Sequence, residues 1–257
     1  MPKVRNTAIA PEISTQPLGI SPGALARRVF RKRLYEWCPA LAYWGRKLGT
    51  PVFAVLPLSV PKRTHQVCKD LGATILVYGT DLMEARRKAC AIRANTKLTY
   101  INGYDHPHAI AAAGTIGIEI LEQLPETQAI LVPIGGGSLL AGIAAAVKNI
   151  NPEVLVYGIE SNKCPSFTKA LEKNTPCVTT LELNIATSLN VPIAGCNALH
   201  TANGVVDDVV RIQDDWIIKA MSHLIDKEKI IVEGAAAITL AALMALPKSL
   251  KGLQEKR

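Results

Sequence analysis

The sequence predicts an α/β fold, and three observations carry that reading. Short apolar runs of strand character alternate with helical segments from residue 39 onward. The gaps between the runs are long enough for crossover helices, which makes neighbouring strands parallel. One run, Ala129 to Ile134, opens directly onto three consecutive glycines and then a helix.

The elements follow in order. Residues 39–48 read as helix, and the run from Pro51 to Pro57, bounded by prolines, reads as a buried strand. Ser59-Val-Pro-Lys starts a second helix, with Ser59 as its N-cap and a proline in its first turn, and Gly72 stops it. Ala73 to Gly79 is the next strand, Asp81 starts a helix to about Ala94, and Leu98 to Asn102 is short and strand-like. Asp105-His-Pro-His leads into a long helix over 108–124, ended by Pro125. Beyond the glycines a helix runs to about Lys148, Val154 to Glu160 forms a strand, and Pro165 to about Lys173 a short helix. Residues 174–204 lack regular periodicity. Val205 to Ile212 is a strand, Asp214 caps a helix to about Lys227, and Ile230 to Leu246 closes the chain as a small-residue helix behind Glu233. There are no repeats and no low-complexity tract.

With 257 residues, 49% of them hydrophobic, the chain can bury a sizeable core. No window reaches the roughly 18 uninterrupted apolar residues that span a bilayer, so no membrane partner is expected. The six cysteines are widely spaced with no CxxC pair, which favours free thiols in a reducing, cytoplasmic setting over a disulfide framework or a zinc site. Much of the net charge of +8 is local: residues 1–35 hold seven basic side chains against Glu12 alone. Residues 1–38 are therefore read as a basic, poorly ordered leader, with a mitochondrial targeting segment or a polyanion-binding arm as the alternatives. No aromatic and basic surface pattern accompanies this charge, so no nucleic-acid partner is expected. A division near residue 107 separates a smaller unit, 39–107, from a larger one, 108–257, that contains the glycine loop.

That loop is the informative stretch. Gly135, Gly136 and Gly137 let the backbone turn tightly and leave their amide N–H groups unshielded, and the following helix brings its positive end to the same spot. Together these make an anion site, with phosphate the commonest guest; Ser138 can add a hydroxyl donor. The pattern is neither GxGxxG nor GxxxxGK[ST], so both nucleotide fingerprints are missing. A glycine turn that only connects strand to helix is the plainer alternative.

Val132-Pro-Ile-Gly-Gly-Gly-Ser-Leu-Leu-Ala-Gly142 resembles the tetraglycine loop of the pyridoxal-phosphate (PLP) threonine and serine dehydratases, a family that includes serine racemase. Ala112-Ala-Gly-Thr-Ile-Gly-Ile-Glu-Ile-Leu121 resembles that family's GQGTIGLEIL helix, and Val156-Tyr-Gly-Ile-Glu160 its next strand. Val206-Asp-Asp-Val-Val210 and Ile231-Val-Glu-Gly-Ala-Ala236 resemble its late strand and its VVEPSGA segment. Leu41 to Val52 and Lys69-Asp-Leu-Gly-Ala-Thr74 fit its small domain, so the resemblance runs from about residue 40 to 250. It implies a fold-type II PLP enzyme of two three-layer α/β/α domains with mostly parallel sheets, here with an incomplete large domain. Carried over position by position, Gly135, Gly136, Gly137, Ser138 and Leu139 would hold the PLP phosphate, Ser138 replacing the fourth glycine.

Other parts of the family pattern are not found. The SFKxRGA-like segment, whose lysine forms the Schiff base, has no counterpart; Phe30-Arg-Lys-Arg33 is only superficially similar, and no SxGNHA loop separates Lys32 from Ala42. Tyr35-Glu-Trp-Cys-Pro39 stands where that loop belongs. Ile185-Ala-Thr-Ser-Leu189 replaces IADGL, putting Ser188 where a glycine approaches the pyridine ring, and Arg257 precedes any SGGN or CGGN turn. Glu160 matches the acidic residue that ligates a divalent ion in serine racemase, but Ser166 stands where a second carboxylate is expected, so no metal is predicted.

The expectation is thus a dehydratase-family protein, converting threonine to 2-oxobutanoate and ammonia or serine to pyruvate and ammonia if active, and catalytically impaired by the missing lysine. Its partner would be a small amino acid, with a homo-oligomer also open. A non-catalytic phosphate-ligand binder, a partner of a dehydratase, and an incomplete gene product are the alternatives. His106 and His108 are assigned to a helix start, and Asp207, Asp208, Asp214 and Asp215 to strand-end and cap positions; Cys196 is a candidate to line the site.

Overall fold

A computed structural model of the chain describes residues 37–245 and 250. The basic leader through residue 36 lies outside the described residues. The first elements are α1 (Trp37–Lys47), β1 (Phe53–Leu56), α2 (Lys62–Asp70), β2 (Thr74–Val77) and α3 (Leu82–Ala94). Strands β1 and β2 pair in parallel, Phe53 opposite Thr74 through Leu56 opposite Val77. Ala42, Cys68 and Ala73 form a small core where α1 and α2 meet this sheet.

The chain continues through α4 (Pro107–Gln123), β3 (Ala129–Pro133), α5 (Ser138–Ile150), β4 (Leu155–Ser161), α6 (Ser166–Lys173), a 3-10 turn (Thr187–Leu189), α7 (Cys196–Ala202), β5 (Asp208–Ile212), α8 (Asp214–Asp226) and α9 (Gly234–Ala245). Strands β3, β4 and β5 form a parallel sheet in that order. The period-2 alternation of its strands divides the core into two layers. Ile130, Val132 and Val156 face Leu140, Ile143, Val147 and Phe167 on the α5 side, while Tyr157, Ile159, Val210 and Ile212 face Ile217, Ala220, Ile238 and Ala241 of α8 and α9. Each fully buried side chain of this size stabilises the fold by about 1.5–3 kcal/mol. Among the described residues, no helix is long and apolar enough to cross a membrane.

Four local expectations are corrected. Leu98 to Asn102 is not a strand but part of an irregular connection into α4, where Tyr100 and Asn102 turn toward a cavity. Ser59 does not cap α2; Pro61 precedes that helix, and no side chain bonds its first amides. Asp214 is the first residue of α8, not its cap, because its carboxylate is drawn instead to Lys163 Nζ at 3.0 Å. Residues 230–233 are extended, so α9 begins at Gly234. The aperiodic stretch 174–204 contains α7, whose seven residues are too few to announce a 3.6-residue period.

His106, by contrast, starts α4 as expected: its ring Nδ1 accepts the His108 amide at 3.2 Å, with Pro107 in the first turn. Asp207 sits before β5, where its carboxylate accepts the Val156 amide and pairs with Lys148 at 2.9 Å. Asp81 caps α3 by accepting the amides of Met83 and Glu84.

Candidate active site

A cavity of about 780 Å³ is lined on one side by β1 and α3, and on the other by the loop between β3 and α5. Gly135, Gly136, Gly137, Ser138 and Leu139 all line it, together with Tyr100, Asn102, Tyr104, Ser188, Leu189, Val191 and Glu233.

The loop owes its shape to close packing from behind and beside. A Cβ at Gly136 would fall 2.3 Å from the Tyr104 ring, and Gly137 has φ +100° with the Phe167 ring 2.2 Å from where its Cβ would be. Only glycine meets both demands. Gly136 is pinned further by its carbonyl, which accepts the Gly195 amide at 2.9 Å. Ser138 is the first residue of α5 and has an ordinary negative φ, so its position does not require the glycine it replaces.

Gly136 and Gly137 are buried. Among the described residues, no protein acceptor bonds the N–H groups of Gly135, Gly136, Gly137, Ser138 or Leu139; the first donor of α5 to be satisfied is Ala141, on the Gly137 carbonyl. Buried amides such as those of Gly136 and Gly137 are nearly always paired in folded proteins. Five in a row at a helix N-terminus, beside a cavity, fit a phosphate: they supply donors and positive potential with no side chain in the way.

Ser188 and Glu233 give the lining a polar pair. Ser188, in the 3-10 turn, donates its hydroxyl to Glu233 Oε1 at 2.6 Å. No lysine is among the described residues lining the cavity; its cations are Arg86 and Arg93. Cys196 is exposed at the start of α7 and does not line the cavity.

Glu160 is almost fully buried, and both its carboxylate oxygens are engaged at the start of α6. Oε1 accepts the Phe167 amide at 2.7 Å, and Oε2 accepts the Thr168 amide and hydroxyl at 3.1 and 2.7 Å. Burial pushes this carboxyl above the ordinary glutamate range, against the lowering effect of those hydrogen bonds. Among the described residues, no cluster of three His, Cys, Asp or Glu side chains is gathered for a metal.

Sequence reasoning missed Arg86, Tyr104 and Asp105. Arg86 donates to the Tyr104 hydroxyl at 2.9 Å. Burial raises the phenols of Tyr100 and Tyr104, with Arg86 opposing the rise in both. Asp105 is buried, and its Oδ1 accepts the Ala198 amide of α7 at 3.1 Å, tying the Tyr104 turn to the element that holds Gly136. Arg86 had a visible signal: Leu82, Ala85, Arg86 and Ala89 fall at i, i+3, i+4 and i+7, which puts a cation on an apolar helix face.

Comparison with known proteins assigns the class. The family model described as pyridoxal-phosphate dependent enzyme matches residues 36–255, and the chain belongs to that family, with the fold-type II architecture and PLP as the family cofactor. Its relatives in that family include threonine ammonia-lyases. It is 33% identical to the L-threonine ammonia-lyase of Geobacter sulfurreducens over 221 residues, 86% of this chain and 55% of that one. To the L-threonine ammonia-lyase of Thermotoga maritima it is 31% identical over 196 residues, 76% of this chain and 49% of that one. The chain thus spans about half the length of these relatives. Among solved structures, maize serine racemase superposes with a TM-score of 0.74 at 27% identity, covering 80% of this chain and 62% of that one. The processed form of threonine deaminase isoform 2 from Solanum lycopersicum also gives 0.74, at 28% identity, covering 79% and 60%.

Proposed function

We propose that this chain binds PLP by its phosphate on the amides of Gly135, Gly136, Gly137, Ser138 and Leu139, and that its dehydratase chemistry is impaired. The row of unbonded amides at the start of α5 carries the reading. When bound, PLP supplies an electron sink for the Cα of an amino acid. The protein's share would be to hold the phosphate, to cover Gly136 with the Tyr104 ring, and to keep Ser188 and Glu233 joined in the cavity lining. What supports impairment is the cation set: an arginine stays protonated at neutral pH and cannot act as the amine nucleophile that a lysine provides. Residues 39–107 would be the smaller unit of the pair and 108–257 the larger.

The 33% identity to an L-threonine ammonia-lyase favours a second reading, in which threonine or serine is turned over to a 2-oxo acid and ammonia. One titration separates the parts. PLP should bind, and pyridoxal without its phosphate should bind at least tenfold more weakly; equal affinities would reject the phosphate cradle. Borohydride treatment of the PLP mixture should fix no cofactor to a lysine peptide, and threonine should release no 2-oxobutanoate above a protein-free control. A labelled peptide together with that release would replace impairment by the second reading.

A further inference from the structure

We propose that Arg86 is a second anion-binding group of the cavity, which receives the carboxylate of an amino-acid ligand held beside the phosphate. The inference rests on the reading that the glycine loop binds phosphate.

Arg86 is half-buried, and it lines the same cavity as the loop from a face of α3 that is apolar at Leu82, Ala85, Ala89 and Ile92 and carries a second cation, Arg93, two turns further on. A guanidinium carries five N–H donors. The neutral Tyr104 hydroxyl accepts one at 2.9 Å and the Tyr100 hydroxyl interacts with another, and among the described residues no carboxylate comes within ion-pair distance of Arg86. The nearby acids are engaged elsewhere: Glu84 accepts the Thr80 amide and hydroxyl, and Asp105 accepts Ala198. A partly desolvated cation without a counter-ion is costly unless an anion completes it.

Geometry selects that anion. One tyrosine side chain separates Arg86 from the loop, because the Tyr104 ring touches Gly136 at its near end and meets Arg86 through its hydroxyl. A phosphate seated on the amides would be satisfied by them, leaving Arg86 for another acidic group of the same ligand. The planar fork matches a carboxylate in two parallel hydrogen bonds.

The test compares two probes by calorimetry on the full chain: pyridoxamine phosphate, which has the phosphate alone, and N-phosphopyridoxyl-L-threonine, which adds the carboxylate. Arg86→Gln should weaken the second probe by about tenfold or more, the worth of a lost charged hydrogen bond, and leave the first unchanged. Arg86→Lys, which keeps the charge but not the fork, should fall between. Matched unfolding midpoints would assign the loss to the site. Equal weakening of both probes would mean that Arg86 serves the phosphate, and unchanged affinity for both would mean that it serves neither; either result overturns the proposal. If pyridoxamine phosphate fails to bind the unaltered chain, the phosphate reading falls, and this proposal falls with it.

Discussion

Glu160 holds Thr168 twice, its Oε2 accepting both the amide and the hydroxyl of that residue at 3.1 and 2.7 Å. The same carboxylate reaches the Phe167 amide with its other oxygen, so one buried side chain on β4 satisfies two of the orphan donors that begin α6. Phe167 in turn lies against Gly137, which links this cap to the glycine loop. Glu160→Ala should cost about 2–4 kcal/mol, the desolvation penalty of the abandoned donors, while Glu160→Gln, which keeps one acceptor, should cost less. Denaturant midpoints give both values.

The same residue sets a pH dependence. Burial raises its folded-state pKa above the unfolded one, so the folded chain binds the proton more tightly. Its stabilising contribution is fully present below the ordinary glutamate value and is lost as pH rises through the raised folded value. Urea midpoints measured from pH 4 to 7 should therefore contain a component that falls with pH and is missing in Glu160→Gln. An identical profile in the two proteins would refute the assignment.

The glycine loop offers a graded pair. Gly137→Ala must adopt φ +100° and drive a methyl into Phe167, whereas a methyl at Gly135 would meet its nearest atom, on Val191, at 3.3 Å with no such backbone demand. Gly137→Ala should destabilise by about 2–4 kcal/mol and Gly135→Ala by about 1 kcal/mol or less. Thermal unfolding of the two variants checks the order, and a larger loss at Gly135 would contradict the account of the loop.

How far the sequence disclosed this arrangement depended on the length and regularity of each signal. The apolar run into Gly135 to Gly137 is readable because a strand, a sharp turn and a helix start each leave a local mark. Asp214 was not readable as an ion-pair partner, since its attraction to Lys163 comes from a residue 51 positions away. Leu98 to Asn102 has strand-like composition, yet β1 and β2 pair only with one another among the described residues, and the segment is used as a cavity wall instead. Asp105 gave no signal, because its partner Ala198 lies in the stretch with no period.

The thiols should fall into two groups. Burial pushes Cys38 up to about 12, with Cys68 adding to the rise, and burial with the Glu160 charge pushes Cys164 up to about 11. Cys90 and Cys196 are exposed. Only thiolate reacts with a disulfide reagent, so at pH 8 Cys90 and Cys196 should label rapidly and Cys38 and Cys164 only after unfolding. Mass spectrometry of peptides from a timed labelling reaction reads the outcome; early modification of Cys164 would contradict its burial.

Gly142 tests how α5 is positioned. A glycine inside a helix costs about 1 kcal/mol relative to alanine, and α5 tolerates one because α4 passes too close for a side chain. A Cβ at Gly142 would fall 2.1 Å from the Ile110 carbonyl oxygen and 2.9 Å from the Gly114 nitrogen, both backbone atoms that cannot rotate away. At Gly114, on the facing helix, a Cβ would stop 3.1 Å from the Gly142 carbonyl oxygen. Gly114→Ala therefore sets a mild contact against a helix-propensity gain and should come out within about 1 kcal/mol of neutral. Gly142→Ala has the same gain but must push the helices apart, and should lose about 2 kcal/mol or more. Because α5 begins at Ser138, that displacement also moves the loop amides, so Gly142→Ala should weaken pyridoxamine phosphate binding while Gly114→Ala leaves it near the unaltered value. Equal stabilities for the two variants would mean that the approach of α4 to α5 is not what requires glycine at 142.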